Sequence, residues 1–141
     1  SAEIQNLLTS DGEYVYQKVG RKTEEWGKNI SEDMASYTPV GDVVGATHPL
    51  DAKKLRDMLP KTFFLVPGYG TQGATANDIV VNFDQQGGGA IVNSSRGLMF
   101  AYNKTDKYSA NQWAQATADE AVRAQKELVE AVQTHIKSIK K

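Results

Sequence analysis

Apolar residues in the N-terminal part of the chain recur at the spacing of an amphipathic helix. The periodic stretch runs from Val15 to Trp26 and predicts a first helix. Ser10 and Glu13 have the spacing of a capping box, so we expect this helix to begin at Ser10. Gly27 offers a stop at its C-terminal end.

Strand-like and helical segments alternate along the rest of the chain. Short apolar and β-branched runs predict three strands, at Asp42–Ala46, Thr62–Val66 and Ala90–Asn93. Helical patterns predict three further helices, at Pro49–Leu59, Thr75–Phe83 and Ser109–Ile139. The last two begin with capping-box pairs, Thr75 with Asp78 and Ser109 with Gln112.

The predicted strands carry apolar residues on both faces, which is typical of parallel strands that are covered on both sides. The sequence therefore predicts an α/β fold in which right-handed helical crossovers join parallel strands. Three parallel strands leave two unprotected edges and cannot close a barrel. The sheet is then either a very small open one or part of a larger one. In a barrel, we expect the apolar side chains of Val43, Phe64, Val66 and Ile91 to line the interior.

The composition argues against several kinds of function. Lys and Arg number 16 and Asp and Glu 17, so the net charge of −1 gives no general attraction to nucleic acid or to an anionic membrane. Any anion must be held locally. The chain has no cysteine, which favours a reducing, cytoplasmic environment. His48 and His135 lack metal-ligand spacing, and no secretory leader is visible. The first residue is Ser rather than Met, which predicts processing or truncation.

A glycine-rich turn follows the second predicted strand. The segment Gly68–Gly73 matches the pattern G-x-G-x-x-G between a strand and a helix, where backbone N–H groups can approach a phosphate. As a dinucleotide site it has two defects. Pro67 precedes the first glycine, and no acidic residue follows the next strand to hold a ribose. Binding of a phosphate monoester fits the pattern at least as well.

Arg96 lies just beyond the third predicted strand, in the segment Asn93–Gly97. An arginine at this place can form a bidentate contact with a phosphate. Parallel strands bring their carboxyl ends to one edge of the sheet, so Arg96 and the glycine loop form a candidate phosphate site. In TIM barrels the phosphate site is frequently built from the loops after the last two strands.

These motifs together resemble the last three strands of orotidine 5′-phosphate decarboxylase, in its longer bacterial subfamily. The matching segments, in the family's order and spacing, are Val43–Pro49, Leu65–Gly73 and Ile91–Gly97. The resemblance covers essentially the whole chain. It implies that residues 1–141 form one partial domain, the C-terminal half of a (β/α)8 TIM barrel with three parallel strands and four helices. It also implies a decarboxylase that converts orotidine 5′-phosphate to UMP without cofactor or metal.

The resemblance assigns roles to particular residues. It implies that Gln72 and Arg96 hold the substrate phosphate, assisted by the backbone around Gly70, Gly73 and Ser95. The substrate pocket would include Pro67, Gly68 and Gly97.

The family's catalytic motif, D-x-K-x-x-D, does not occur in the sequence. The segment Asp51–Asp57 has the different spacing D-x-K-x-x-x-D and lies in a predicted helix, where Asp51, Lys53 and Asp57 face solvent or pair along the helix. We therefore expect no catalytic residue in this chain and no activity from it alone. We expect two partners, a missing N-terminal half-barrel and further copies of the chain in a homo-oligomer such as a dimer. Two alternatives remain, a stand-alone phosphate- or nucleotide-binding module and a Rossmann-like oxidoreductase segment.

Overall fold

The computed structural model describes residues 2–30, 37–70 and 73–140. Its strands are β1 (Asp42–Val43), β2 (Phe64–Pro67) and β3 (Ala90–Asn93). Its α-helices are α1 (Ala2–Gln5), α2 (Val15–Ile30), α3 (Pro49–Met58), α4 (Ala76–Ile79), α5 (Ser95–Met99) and α6 (Trp113–Ile139). Single 3-10 turns occupy Val80–Asn82, Ala101–Asn103 and Ala110–Gln112.

The strands form one parallel sheet in the order β1-β2-β3, which confirms the predicted topology. Pairing between β1 and β2 continues past the end of β1, because the N–H groups of Val44 and Ala46 donate to the carbonyls of Leu65 and Pro67 at 2.9 Å. The carboxyl ends of all three strands therefore lie at one edge of the sheet.

One face of the sheet packs against the helices. Phe64 and Val66 of β2 are fully buried there, in a core with Leu59 and Ile79. Our prediction that Phe64 and Val66 line a barrel interior is therefore wrong. Side chains alternate between the faces of a strand, and these two point toward the helix layer.

The other face of the sheet is open and apolar. Val43, Leu65 and Ile91 are paired in register across the three strands. Their exposed fractions are 70%, 41% and 56%. The predicted interior positions Val43 and Ile91 do lie on this face, and Leu65 stands between them. The expected covering of both faces is absent within the described part of the chain, because the helices cover one face only.

Arg56 of α3 closes the opposite end of the sheet, where the strands begin. Its buried guanidinium donates to four backbone carbonyls, those of Leu59, Thr62, Asn82 and Gly89, at 2.9–3.0 Å. The same group lies 3.7 Å from the centre of the Phe64 ring. Burial lowers the pKa of Arg56, and nearby Asp84 opposes that shift. Arg56 thus ties α3 to the segments that lead into β2 and β3.

The predicted boundaries of the first helix are wrong at both ends. The helix begins at Val15, and the side chain of Gln17 accepts a hydrogen bond from the N–H of Tyr14 at 2.9 Å in place of a box at Ser10. It continues past Gly27 to Ile30. A Cβ atom at Gly27 would lie 2.6 Å from the Cβ of Thr38, so this glycine permits close packing rather than a stop.

The predicted helix starts at Pro49 and Thr75 are confirmed, whereas Ser109 opens a 3-10 turn and α6 itself begins at Trp113. Capping boxes form at Thr75 with Asp78 and at Ser109 with Gln112. Pro49 occupies the first turn of α3. The short helix α5 was not predicted. Within the described ranges, no helix has both the length and the apolar character needed to cross a membrane.

Candidate functional site

The glycine-rich loop after β2 is a tight turn that needs glycine at three positions. Gly68, Gly70 and Gly73 have positive φ values of 111°, 79° and 93°, a conformation that side chains with a Cβ rarely adopt. The N–H of Gly70 donates to Ala74, and the N–H of Gly73 donates to Gly70, each at 2.9 Å. These two N–H groups are thus engaged within the turn. The predicted phosphate ligand Gln72 lies outside the described residues.

The loop after β3 runs directly into the short helix α5. Ser94 precedes α5, and Ser95 and Arg96 are its first two residues. Both are exposed. The Asn93 side chain donates to the Ser95 hydroxyl at 3.2 Å. Among the described residues Arg96 has no ion-pair partner.

The structure brings the two loops into contact. The Ser94 hydroxyl donates to the carbonyl of Tyr69 at 3.0 Å. A Cβ atom at Gly70 would lie 3.9 Å from the same hydroxyl oxygen, and one at Gly97 would collide with it. Gly97 is buried at this junction. The register pair of Pro67 with Asn93 marks where both strands end, so the predicted proximity of the loops is confirmed.

A network of ion pairs behind the loops was missed by sequence reasoning. Glu120 of α6 accepts from Lys104 at 2.6 Å and from Arg123 at 2.8 and 2.9 Å. Arg123 also donates to Glu127 at 2.6 Å. The buried hydroxyl of Tyr69 lies beside Glu127 and Arg123 without a hydrogen bond of ordinary geometry, and burial raises the pKa of Tyr69. The i,i+3 and i,i+4 spacing along α6 was the signal available in the sequence.

The charged segment of α3 behaves as predicted. Lys53 pairs with Asp57 at 2.7 Å, and both side chains are exposed. Asp51 lies 3.6 Å from Lys54 and accepts a hydrogen bond from Tyr16 at 3.3 Å. These side chains lie on the surface of α3 and not at the end of a strand.

Two cavities lie away from the junction of the loops. The larger, about 750 Å³, is at the amino ends of the strands and is lined in part by Tyr37, Arg56, Asp84 and His135. The smaller, about 520 Å³, lies beside Lys104 and Glu120. Neither cavity is lined by residues of the glycine-rich loop or of the loop after β3.

Comparison with curated proteins found orotidine 5′-phosphate decarboxylases. The chain is 46% identical to that of Caldicellulosiruptor bescii over 102 residues, which is 72% of this chain and 33% of the relative. It is 35% identical to that of Clostridium tetani and 39% identical to that of Clostridium perfringens strain SM101, in both cases over 130 residues, 92% of this chain and 44% of the relative. The chain thus spans a third to less than half of the length of these relatives. No family model matches the chain.

Solved structures give the same result. A putative orotidine-monophosphate decarboxylase from Toxoplasma gondii has a TM-score of 0.68 and 25% identity, over 94% of this chain and 47% of that one. The orotidine-monophosphate decarboxylase of Leishmania donovani has a TM-score of 0.63 and 28% identity, over 91% of this chain and 44% of that one. The three-stranded sheet and its helices match part of the barrel of these enzymes.

Proposed function

Since this chain is homologous to orotidine 5′-phosphate decarboxylase over a third to a half of that enzyme's length, we propose that it is the C-terminal half of such a barrel and holds the substrate phosphate. The observation that carries the proposal is the contact between the two loops at Ser94 and Tyr69. Arg96 follows Ser94 by two residues and is exposed, which supports the proposal that its guanidinium faces a ligand at the glycine-rich turn. The homology favours this function over a Rossmann-like oxidoreductase segment.

In the proposed site, the guanidinium of Arg96 donates two hydrogen bonds to phosphate oxygens and the side-chain amide of Gln72 donates another. Charge-assisted bonds of this kind are among the strongest that proteins make. Ser95 adds a hydroxyl beside Arg96, held by Asn93. Pro67, Gly68 and Gly97 form a wall of the proposed substrate pocket. At Gly97 the Ser94 hydroxyl occupies the place of a Cβ atom, so glycine is needed there for the two loops to pack.

The phosphate is remote from the bond that breaks in decarboxylation. Binding energy from such a remote group can be used to close and organise an active site, so the contacts contribute to the chemical step as well as to affinity. We propose that the reacting carboxylate and carbon meet an aspartate and a lysine from the other half of the barrel. The D-x-K-x-x-D motif is absent from this sequence.

We expect that replacement of Arg96 by alanine weakens binding of UMP. A charge-assisted hydrogen bond contributes about 1.5–3 kcal/mol, which corresponds to roughly a 10- to 150-fold loss of affinity. Titration of UMP followed by NMR or calorimetry measures the loss. Arg21→Ala is the matched control, since Arg21 is an exposed arginine of α2 that pairs with Glu13. Equal UMP affinity in Arg96→Ala and the unmodified chain would show that the site is elsewhere.

The proposed partner is the remainder of the barrel, which would cover the row of Val43, Leu65 and Ile91 and pair with the open edges of β1 and β3. Exposed strand edges beside apolar surface favour association. In the absence of the other half, we expect the chain to self-associate through this face. The contact would exceed the roughly 1,000 Å² that is usual for a specific interface.

Analytical ultracentrifugation at low micromolar concentration tests this expectation. Leu65→Gln should reduce the association because Leu65 lies in the middle of the apolar row. Leu50→Gln is the matched control, since Leu50 is 77% exposed on α3, outside the sheet. A stable, folded monomer of the unmodified chain would contradict the account of the missing strands.

A further inference from the structure

Glu120 connects the two phosphate-competent loops from behind. One of its carboxylate oxygens accepts from Lys104, which lies in the segment after α5. The carboxylate also accepts two hydrogen bonds from Arg123, at 2.8 and 2.9 Å. Lys104 and Arg123 each face one of the loops.

The two cations reach the loops at different points. The ammonium of Lys104 lies 3.8 Å from the place where a Cβ atom of Gly97 would be, at the loop after β3. Arg123, together with Glu127, lies beside the buried Tyr69 of the glycine-rich loop. The Ser94 hydroxyl binds the carbonyl of Tyr69, so the two places that Lys104 and Arg123 approach are joined to each other.

The Glu120 carboxylate is well suited to hold Lys104 and Arg123 in place. Its side chain is only 15% exposed, whereas Lys104 and Arg123 are 40% and 54% exposed. Hydrogen bonds from Arg123 lower the pKa of Glu120 to about 2, against the effect of burial and with help from Lys104. The carboxylate is therefore charged near neutral pH, where it can bind both cations.

We propose that Glu120 is a positioning residue for the phosphate site, which sets the spacing of the two loops by holding Lys104 at Gly97 and Arg123 at Tyr69. This inference rests on the proposed function, because it assumes that the loops grip a phosphate. Glu120 itself does not touch the ligand. Glu120 is mostly buried, but both of its cations are more than a third exposed, so solvent weakens these ion pairs and they add little to folding stability. We therefore expect the effect of Glu120 to appear in phosphate recognition.

The test compares binding of UMP with binding of uridine, which lacks the phosphate. Glu120→Gln keeps the shape of the side chain and removes its charge. We expect it to weaken UMP binding about three- to tenfold, within the range of coupling seen for residues that act through others, and to leave uridine binding unchanged. Glu120→Asp, which keeps the charge, should restore most of the UMP affinity. Glu130→Gln is the control, since Glu130 is an exposed residue of α6 whose backbone carbonyl accepts from Thr134.

Each outcome decides the inference. Unchanged UMP affinity in Glu120→Gln, with the loss in Arg96→Ala intact, overturns the role of Glu120 and leaves the phosphate site standing. Tighter UMP binding in Glu120→Gln also overturns it, because Lys104 would then be a ligand that Glu120 holds back. An equal loss for UMP and uridine would mark a general structural effect and overturn it as well. If Arg96→Ala leaves UMP binding unchanged, the phosphate site is wrong and this inference is wrong with it.

Discussion

Replacement of Arg56 by methionine is expected to lower the free energy of unfolding by about 3–5 kcal/mol. The reason is that four carbonyl groups, those of Leu59, Thr62, Asn82 and Gly89, would lose their donor together. Each buried polar group left unsatisfied costs about 1–3 kcal/mol, and partial relaxation or entry of water recovers some of the total. Methionine preserves most of the apolar volume against Phe64, so the loss of unfolding free energy reflects the lost hydrogen bonds.

The same substitution also affects Asp84. Burial acts to raise the pKa of this carboxyl, but hydrogen bonds from the Tyr37 hydroxyl and from the N–H groups of Gly88 and Gln86 outweigh it and lower the pKa, with help from Arg56. Without Arg56, the charge of Asp84 loses a nearby cation. This adds to the expected destabilisation.

Thermal and denaturant unfolding measure the effect. The matched control is Lys53→Met on the same helix, which removes a cation whose pair with Asp57 is exposed. Exposed pairs contribute little, so the control should unfold close to the unmodified chain. Equal stability of Arg56→Met and Lys53→Met would contradict the view that Arg56 ties α3 to the starts of β2 and β3.

The features that were predictable from the sequence are those set by local chemistry. The capping boxes at Thr75 and Ser109 form because their partners stand three residues away in the chain. The bounds of β3 were predicted as Ala90–Asn93 and are observed there. The contact of the two loops followed from the rule that parallel strands end at the same edge.

The features that were missed depend on tertiary contacts. The run from Phe63 to Val66 is apolar at every position, so no alternation shows which side chains face the helices. Gly27 was interpreted as a helix stop, but α2 continues past it, and the missing side chain lets Thr38 pack closely against the helix. The role of Arg56 was hidden because its acceptors are carbonyls of other segments, as far away as Gly89.

The same contrast between local sequence signals and tertiary contacts applies to the residues of the candidate site. Arg96 and the glycine-rich loop stand out by residue type and by position after strands. Glu120 does not, because its importance arises from Lys104, 16 residues earlier in the chain, and from the approach of α6 to both loops. The proposed contact of Gln72 with the phosphate remains a prediction.

We expect no conversion of orotidine 5′-phosphate to UMP by the 141-residue chain alone. The proposed site grips the phosphate, and the aspartates and lysine of the D-x-K-x-x-D motif are not in this sequence. The nearest substitute, Asp51 with Lys53 and Asp57, lies on the surface of α3 in helical ion pairs. Binding of the phosphate speeds decarboxylation only if the residues that act on the carboxylate are also present. We expect these residues to come from the other half of the barrel.

The most direct test is a turnover assay on the chain, alone and mixed with the N-terminal part of a homologous decarboxylase that carries the motif. The mass of the purified chain is verified first, and formation of UMP is followed by chromatography. We predict no UMP from the chain alone, and UMP from the mixture that is lost with Arg96→Ala and retained with Arg21→Ala. Turnover by the chain alone would contradict the account.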